Sequence, residues 1–116
     1  MRHRKKKITL DRKAAPRRAL LINLAESLVL YEKITTTKAK ARAARSLVER
    51  LITKAKPNTL AARRELTHRL HTSNCVKKLM AELGPRYKDR RGGYTRVTLL
   101  KNRKGDGAEA AVVELV

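Results

Sequence analysis

The sequence contains no tryptophan and no phenylalanine, and three tyrosines are its whole aromatic content. Proteins that hold single-stranded nucleic acid on a stacking platform need successive aromatic faces, so that mode of action is not expected. Cysteine is nearly absent as well. Cys75 stands alone, which excludes an internal disulfide and suits a reducing compartment. No apolar run reaches the roughly 20 residues of a membrane helix, and the greasiest stretch, residues 19–30, is broken by Asn23 and Glu26. The basic N-terminus is followed by no apolar signal core. Acidic residues are the last scarcity: 10 Asp and Glu face 30 Lys and Arg in 116 residues, a formal net charge of +20.

Self-repulsion on that scale opposes a compact state. A polyanion relieves it by supplying phosphates and releasing their counterions, so a nucleic-acid partner is expected. The charge is concentrated in two blocks. Residues 1–18 hold nine Lys or Arg against Asp11, and residues 86–104 hold eight against Asp89. Residues 105–116 carry three acids and no Lys or Arg. No internal repeat is visible, and the length fits one domain.

Residues 1–13 offer only Ile8 and Leu10 for burial beyond the start methionine, too little to offset the entropy of ordering. They are expected to form an extended basic arm ahead of a single domain, residues 14–116. Pro16 suits the first turn of a helix, and Leu20, Leu21, Leu24 and Leu28 continue it at helical spacing to about Tyr31. Residues 33–36 read as a short β-branched strand. Thr37 is a candidate N-cap for a second helix reaching about Lys56, with an apolar stripe of Ala44, Leu47, Val48, Leu51, Ile52 and Ala55. Asn58 is the candidate cap of a third helix, over residues 59–70. Ser73 or Asn74 is the candidate cap of a fourth, which Gly84-Pro85 is expected to stop. Residues 94–100 then alternate, residues 102–107 are turn-rich, and residues 110–115 complete a hairpin. The sum is an α+β fold: about four helices packed on one face of a small sheet of about three strands.

Two features carry the chemistry. The first is the arm, with Arg2, His3, Arg4, Lys5, Lys6, Lys7, Arg12 and Lys13, continued by Arg17 and Arg18 on the first helix. Buried unpaired, each of these charges would cost several kcal/mol. The arm is therefore a solvated tail or one that orders against phosphates, and its lack of aromatics favours backbone contact. The second is Arg86-Tyr87-Lys88-Asp89-Arg90-Arg91-Gly92-Gly93-Tyr94-Thr95-Arg96. A glycine pair often makes only a tight turn, yet it also lets a sugar–phosphate backbone approach. Four arginines flank it, and guanidinium forks match phosphate geometry. Arg90, Arg91 and Arg96 are expected to converge beside the turn, with Tyr94 on the face of Arg96. Lys38, Arg42 and Arg45 recur on a flank of the second helix.

Other chemistries lack support. The block fails as a phosphate loop of nucleotide-binding type, since no Gly-Lys-Ser/Thr follows. His68, His71 and Cys75 are the one conceivable metal cluster, but no second Cys/His pair completes a tetrahedral site. No paired carboxylates and no nucleophile–base motif mark a catalytic centre. No metal, cofactor, small-molecule substrate, membrane or enzyme activity is expected. Short helices with a basic arm also fit a DNA-binding protein of nucleoid or helix-turn-helix type, although a basic glycine-containing turn suits an irregular RNA surface better than a regular groove.

The chain resembles the bacterial large-subunit ribosomal protein number seventeen family. The resemblance is carried by the opening MRHRKKK, by Arg12 and the run RRALLIN at residues 17–23, and by Ile34-Thr35-Thr36-Thr37 followed by Lys38-Ala39-Lys40. It continues through Leu51-Ile52-Thr53-Lys54-Ala55, Gly84-Pro85-Arg86-Tyr87, Gly92-Gly93-Tyr94-Thr95-Arg96, residues 103–107 and the ending Val113-Glu114-Leu115-Val116. It spans nearly the whole chain in order. It implies a structural constituent of the large subunit near the polypeptide exit, held by large-subunit ribosomal RNA beside neighbouring ribosomal proteins. The implied location is the cytoplasm, an organelle ribosome being the alternative. By the same resemblance the RNA contacts fall on the arm, on the block from Arg86 to Arg96 with Gly92, Gly93 and Tyr94, and on a third patch of Lys38, Lys40 and Arg42.

Overall fold

The computed structural model describes residue 3 and residues 8–116. Arg2, Arg4, Lys5, Lys6 and Lys7 of the basic arm lie outside the described residues. Helix α1 (Ala14–Tyr31) leads into strand β1 (Lys33–Thr37), and helix α2 (Lys38–Ala55) follows without a loop. Helix α3 (Leu60–Arg69) comes next, then helix α4 (Ser73–Lys78), a π-helical turn (Leu79–Leu83) and a last turn α5 (Gly84–Arg86). Strands β2 (Thr95–Leu99) and β3 (Ala110–Leu115) close the chain. Among the described residues the fold is α+β: four helical segments, the fourth running from α4 through α5, on a three-stranded antiparallel sheet in the order β1-β3-β2.

The central strand β3 sets the burial. Ala111 and Val113 are fully buried towards the helices, and Ile34, Val97 and Leu115 pack against the same core. In the cross-strand register Ile34 and Val97 both lie opposite Val113, so one layer of apolar side chains crosses the sheet. Lys33, Thr35, Arg96 and Thr98 point the other way and are exposed. The alternation expected for β2 holds at Thr95 and Val97. It ends at Leu99, which is 60% exposed.

Helix α2 is the spine of the core. Its buried residues Ala41, Ala44, Val48, Leu51, Ile52 and Ala55 form a continuous stripe, as the three-four spacing requires. Of the leucine series, helix α1 buries only Leu28 fully. Ala25, Leu28 and Val29 are fully buried, whereas Leu20, Leu21 and Leu24 are only half-buried. Glu26 is also buried, at 8% exposure. Its carboxylate accepts the backbone N–H groups of His71 (2.7 Å) and Thr72 (2.9 Å) and the Thr72 hydroxyl (2.9 Å). It thereby satisfies donors at the part-buried corner where α3 hands over to α4.

Several helix ends depart from the sequence expectations. Thr59, not Asn58, caps α3: its hydroxyl accepts the Ala62 N–H at 3.1 Å, while Asn58 takes a left-handed φ of 53° that asparagine tolerates. Thr37 stands at the N-cap of α2 but makes no side-chain cap bond, and the Lys38 N–H goes instead to the Glu109 carbonyl at 2.8 Å. The N-cap position of α4 is Thr72, not Ser73 or Asn74.

Gly84-Pro85 does not stop the fourth helix. The preceding π-helical turn carries the Gly84 N–H to the Leu79 carbonyl, and the chain stays helical to Arg86. A widened turn of this kind accommodates a residue that lacks an N–H. Glycine is needed here for space: a Cβ on Gly84 would sit 3.0 Å from the Ala55 carbonyl oxygen of α2.

Candidate nucleic-acid interface

The described end of the arm is a turn rather than an extended run. The Arg12 N–H bonds the Thr9 carbonyl at 3.2 Å, and Leu10 and Asp11 both adopt positive φ. Ile8 sits against a cleft between α1 and α2 lined by Arg17, Leu21, Leu47 and Arg50. His3, Arg12, Lys13 and Arg18 are exposed, and Arg17 is half-buried. This end of the molecule therefore gathers basic side chains beside a small apolar seat.

The block from Arg86 to Arg96 divides into parts with different surroundings. Arg86 belongs to a salt bridge: its guanidinium lies 2.8 Å from the Glu32 carboxylate, which Lys78 also reaches at 3.1 Å. The Arg86 hydrogen bond, against the opposing effect of burial and helped by Lys78, holds the Glu32 carboxyl below the usual carboxylate range. Arg86 also stacks over the Tyr87 ring. Arg96, on the outer face of β2, lies 3.7 Å from Glu114 and remains exposed. Arg90 and Arg91 are exposed, and neither pairs with an acid among the described residues.

Gly92 and Gly93 lie in the loop between α5 and β2, not at the tip of the hairpin, which is formed by residues 100–109 between β2 and β3. Arg90 and Arg91 therefore precede β2, whereas Arg96 lies on the strand itself. Gly93 has a φ of 64°, the left-handed region where glycine carries no steric penalty. No atom of the described residues lies within 4 Å of where a Cβ on either glycine would stand. Tyr94 is 1% exposed, and its ring packs 5.1 Å from that of Tyr87. Neither ring of this pair is presented for stacking; they form the floor beneath the loop.

On α2, Lys38, Arg42 and Arg45 share one face by helical spacing, whereas Lys40 lies on the opposite side. Arg42 and Arg45 are exposed beside Ser46 and Glu49. Lys38 pairs with Glu109 at 3.3 Å, which links this face to the β2–β3 hairpin.

The family model described as ribosomal protein L17 matches residues 20–116. The chain belongs to the ribosomal protein L17 family. It is 49% identical to the large ribosomal subunit protein bL17 of a Sulfurihydrogenibium species, over all of this chain and 97% of that protein. It is 50% identical to the protein of the same name from a Hydrogenobaculum species, over all of this chain and 99% of the other. For the Solibacter usitatus protein, also named large ribosomal subunit protein bL17, the figures are 51%, all of this chain and 77%.

For a member of the L17 family, the remaining basic surface is informative. Lys101 on the β2–β3 hairpin and Arg63 and Arg64 on α3 belong to no motif in the sequence; these three and Lys104, in the hairpin run 103–107, are exposed. Charge density alone could have flagged Lys101 and Lys104, which fall inside the second basic block. Arg103 is tied to Asp106 at the hairpin tip. Cys75 is buried, and its thiol donates to the Glu26 carbonyl at 3.6 Å. Burial, with the Glu26 charge adding, pushes that thiol up to about 11. His68 and His71 are exposed, and no three His, Cys, Asp or Glu side chains among the described residues gather at metal-binding distance. Among the described residues no helix is long and apolar enough to cross a membrane.

Proposed function

We propose that this protein is a structural constituent of the large ribosomal subunit, held on ribosomal RNA by its basic arm and by the glycine-containing loop ahead of β2. The observation that carries the reading is the state of Arg90 and Arg91. Both are exposed, neither has an acidic partner among the described residues, and both stand on a loop whose floor is two packed tyrosines. Guanidinium groups held on a fixed backbone hold phosphates with bidentate hydrogen bonds. Family membership supports a structural rather than catalytic role, with ribosomal RNA and neighbouring ribosomal proteins as partners and the ribosome as location.

Within this reading the chain divides into an RNA-binding arm, residues 1–13, and a single domain, residues 14–116. Arg12, Lys13, Arg17 and Arg18 extend the contact from the arm onto α1, and Arg42 with Lys38 adds a third contact on α2. Arg86 acts mainly through the Glu32 salt bridge, and Tyr94 through the loop beneath which it is buried.

The test is replacement of Arg90, Arg91 and Arg96 together with Gln. Gln keeps length and polarity, and the one ion pair removed among the described residues, Arg96 with Glu114, is an exposed pair worth about 0–1 kcal/mol. Occupancy in purified large subunits should fall while the melting temperature moves little. Full occupancy with an unchanged melt would remove the loop from the RNA-binding surface.

A further inference from the structure

Lys56 stands at the C-terminal end of α2 and is half-buried. In a chain with 30 basic residues it reads as one more cation for phosphate. Its surroundings say otherwise. The ammonium donates to the Tyr94 hydroxyl at 3.0 Å and to the backbone carbonyl of Arg90, and it lies 5.4 Å from the centre of the Tyr94 ring. The Tyr94 hydroxyl in turn donates to the same Arg90 carbonyl at 3.2 Å and meets the Thr53 hydroxyl at 3.4 Å.

One backbone carbonyl thus receives two donors from side chains anchored in the core. The Arg90 N–H is fixed as well, to the Tyr87 carbonyl at 3.0 Å. Tyr87 is itself pinned by its hydroxyl, which donates to the Val116 carbonyl at 2.7 Å. The backbone of Arg90 is held from both sides while its side chain, and that of Arg91, face solvent.

We propose that Lys56 is a positioning residue for the basic loop. Directly, and through Tyr94, it fixes the Arg90 backbone and so sets the direction in which Arg90 and Arg91 meet RNA phosphates, without holding a phosphate itself. The proposal rests on the RNA-binding reading of this loop. Burial works to raise the Tyr94 phenol, but the hydrogen bonds with Thr53 and Lys56 and the Lys56 charge outweigh it, and the group titrates below the ordinary phenol range. That balance fits a hydroxyl held against an ammonium. Pre-orientation improves binding by removing an ordering cost, whereas each phosphate held adds to the salt dependence of affinity. The two roles are therefore separable by experiment.

The experiment is filter binding of the full-length protein to deproteinised large-subunit ribosomal RNA across a salt series. Lys56→Met keeps an apolar stem and removes the donors. It should lower affinity several-fold at every salt concentration and leave the slope of log affinity against log salt unchanged. Amide exchange at Arg90 should quicken in the free protein. Tyr94→Phe keeps the ring and the core and should move affinity the same way by a smaller factor; it decides the matter if Lys56→Met does not fold. Arg90→Gln with Arg91→Gln should instead make the slope shallower by about 0.7–0.9 for each phosphate no longer neutralised. A Lys56→Met slope shallower by that amount would show that Lys56 itself holds a phosphate and overturn the proposal. So would wild-type affinity in Lys56→Met, or in Tyr94→Phe where that variant decides. If the double arginine variant binds as wild type, the RNA-binding reading of the loop fails and the proposal falls with it.

Discussion

Glu26→Ala should be among the most damaging single substitutions in this protein. The Glu26 carboxylate, 8% exposed, is the acceptor for two backbone N–H groups and a hydroxyl at 2.7, 2.9 and 2.9 Å. Hydrogen bonds to a charged group contribute about 1.5–3 kcal/mol each, and a donor left buried without a partner costs about 1–3 kcal/mol. A simple sum over three bonds overshoots, because the Thr72 hydroxyl can turn towards another acceptor and water can reach a corner that is not fully sealed. Two stranded N–H groups at the middle of that range, with the missing side-chain packing, give about 3–5 kcal/mol. Glu26→Gln keeps one carbonyl oxygen for the two N–H groups, and the Thr72 hydroxyl can reverse to accept from the new amide. Only the charge assistance disappears, so about 1–2 kcal/mol is expected. Urea unfolding followed by circular dichroism measures both. A Glu26→Ala cost below about 1 kcal/mol, the lower limit for one stranded donor, or a cost equal to that of Glu26→Gln, would show that the carboxylate is not what satisfies the α3–α4 corner.

Gly84→Ala should cost about 1–3 kcal/mol, because the added methyl meets the backbone of Ala55 and Leu79 at 3.0 and 3.1 Å and neither can swing aside; an unchanged denaturation midpoint would contradict the close approach. Glu32 gives a pH signature. Its folded pKa is depressed chiefly by the hydrogen bond from Arg86, so its contribution is present above the unfolded carboxylate value near 4.3 and is lost as pH falls through the lower folded value. The side chain is 36% exposed, which limits the effect to about 0.5–1 kcal/mol, and Glu32→Gln should flatten that part of the acid-stability profile. Deleting residues 1–13 should leave the far-ultraviolet dichroism intact, since Ile8 is 47% exposed and little core is removed. The same deletion should lower RNA affinity and make its salt slope shallower; a truncated protein that no longer folds would show the arm to be structural.

Much of the fold was legible because it rests on short-range patterns. The stripe on α2 is written at three-four spacing, and the β-branched run before it and the alternating run at residues 94–100 announce strands with a turn between β2 and β3. The electrostatic character was legible too, since thirty basic residues against ten acids state it without any structure. Family membership lay in the ordered motifs from the opening arm to Val116. What the sequence could not show is which charges remain free. Arg86, Arg90, Arg91 and Arg96 look equivalent in a string, yet the fold brings Glu32 to Arg86 across 54 positions and Glu114 to Arg96, while Arg90 and Arg91 meet no acid among the described residues. Tyr94 reads as a strand residue on an exposed face, but β2 begins one residue later, and the phenol is drawn into the core against Tyr87 and Lys56. Glu26 only interrupts an apolar run in the sequence, until the α3–α4 corner places two N–H groups against it from 45 and 46 residues away. Periodicity reports which face of an element is buried, because neighbours in sequence share that geometry. Which polar groups are paired and which stay free to bind is decided by partners distant in sequence, and only tertiary packing brings them together.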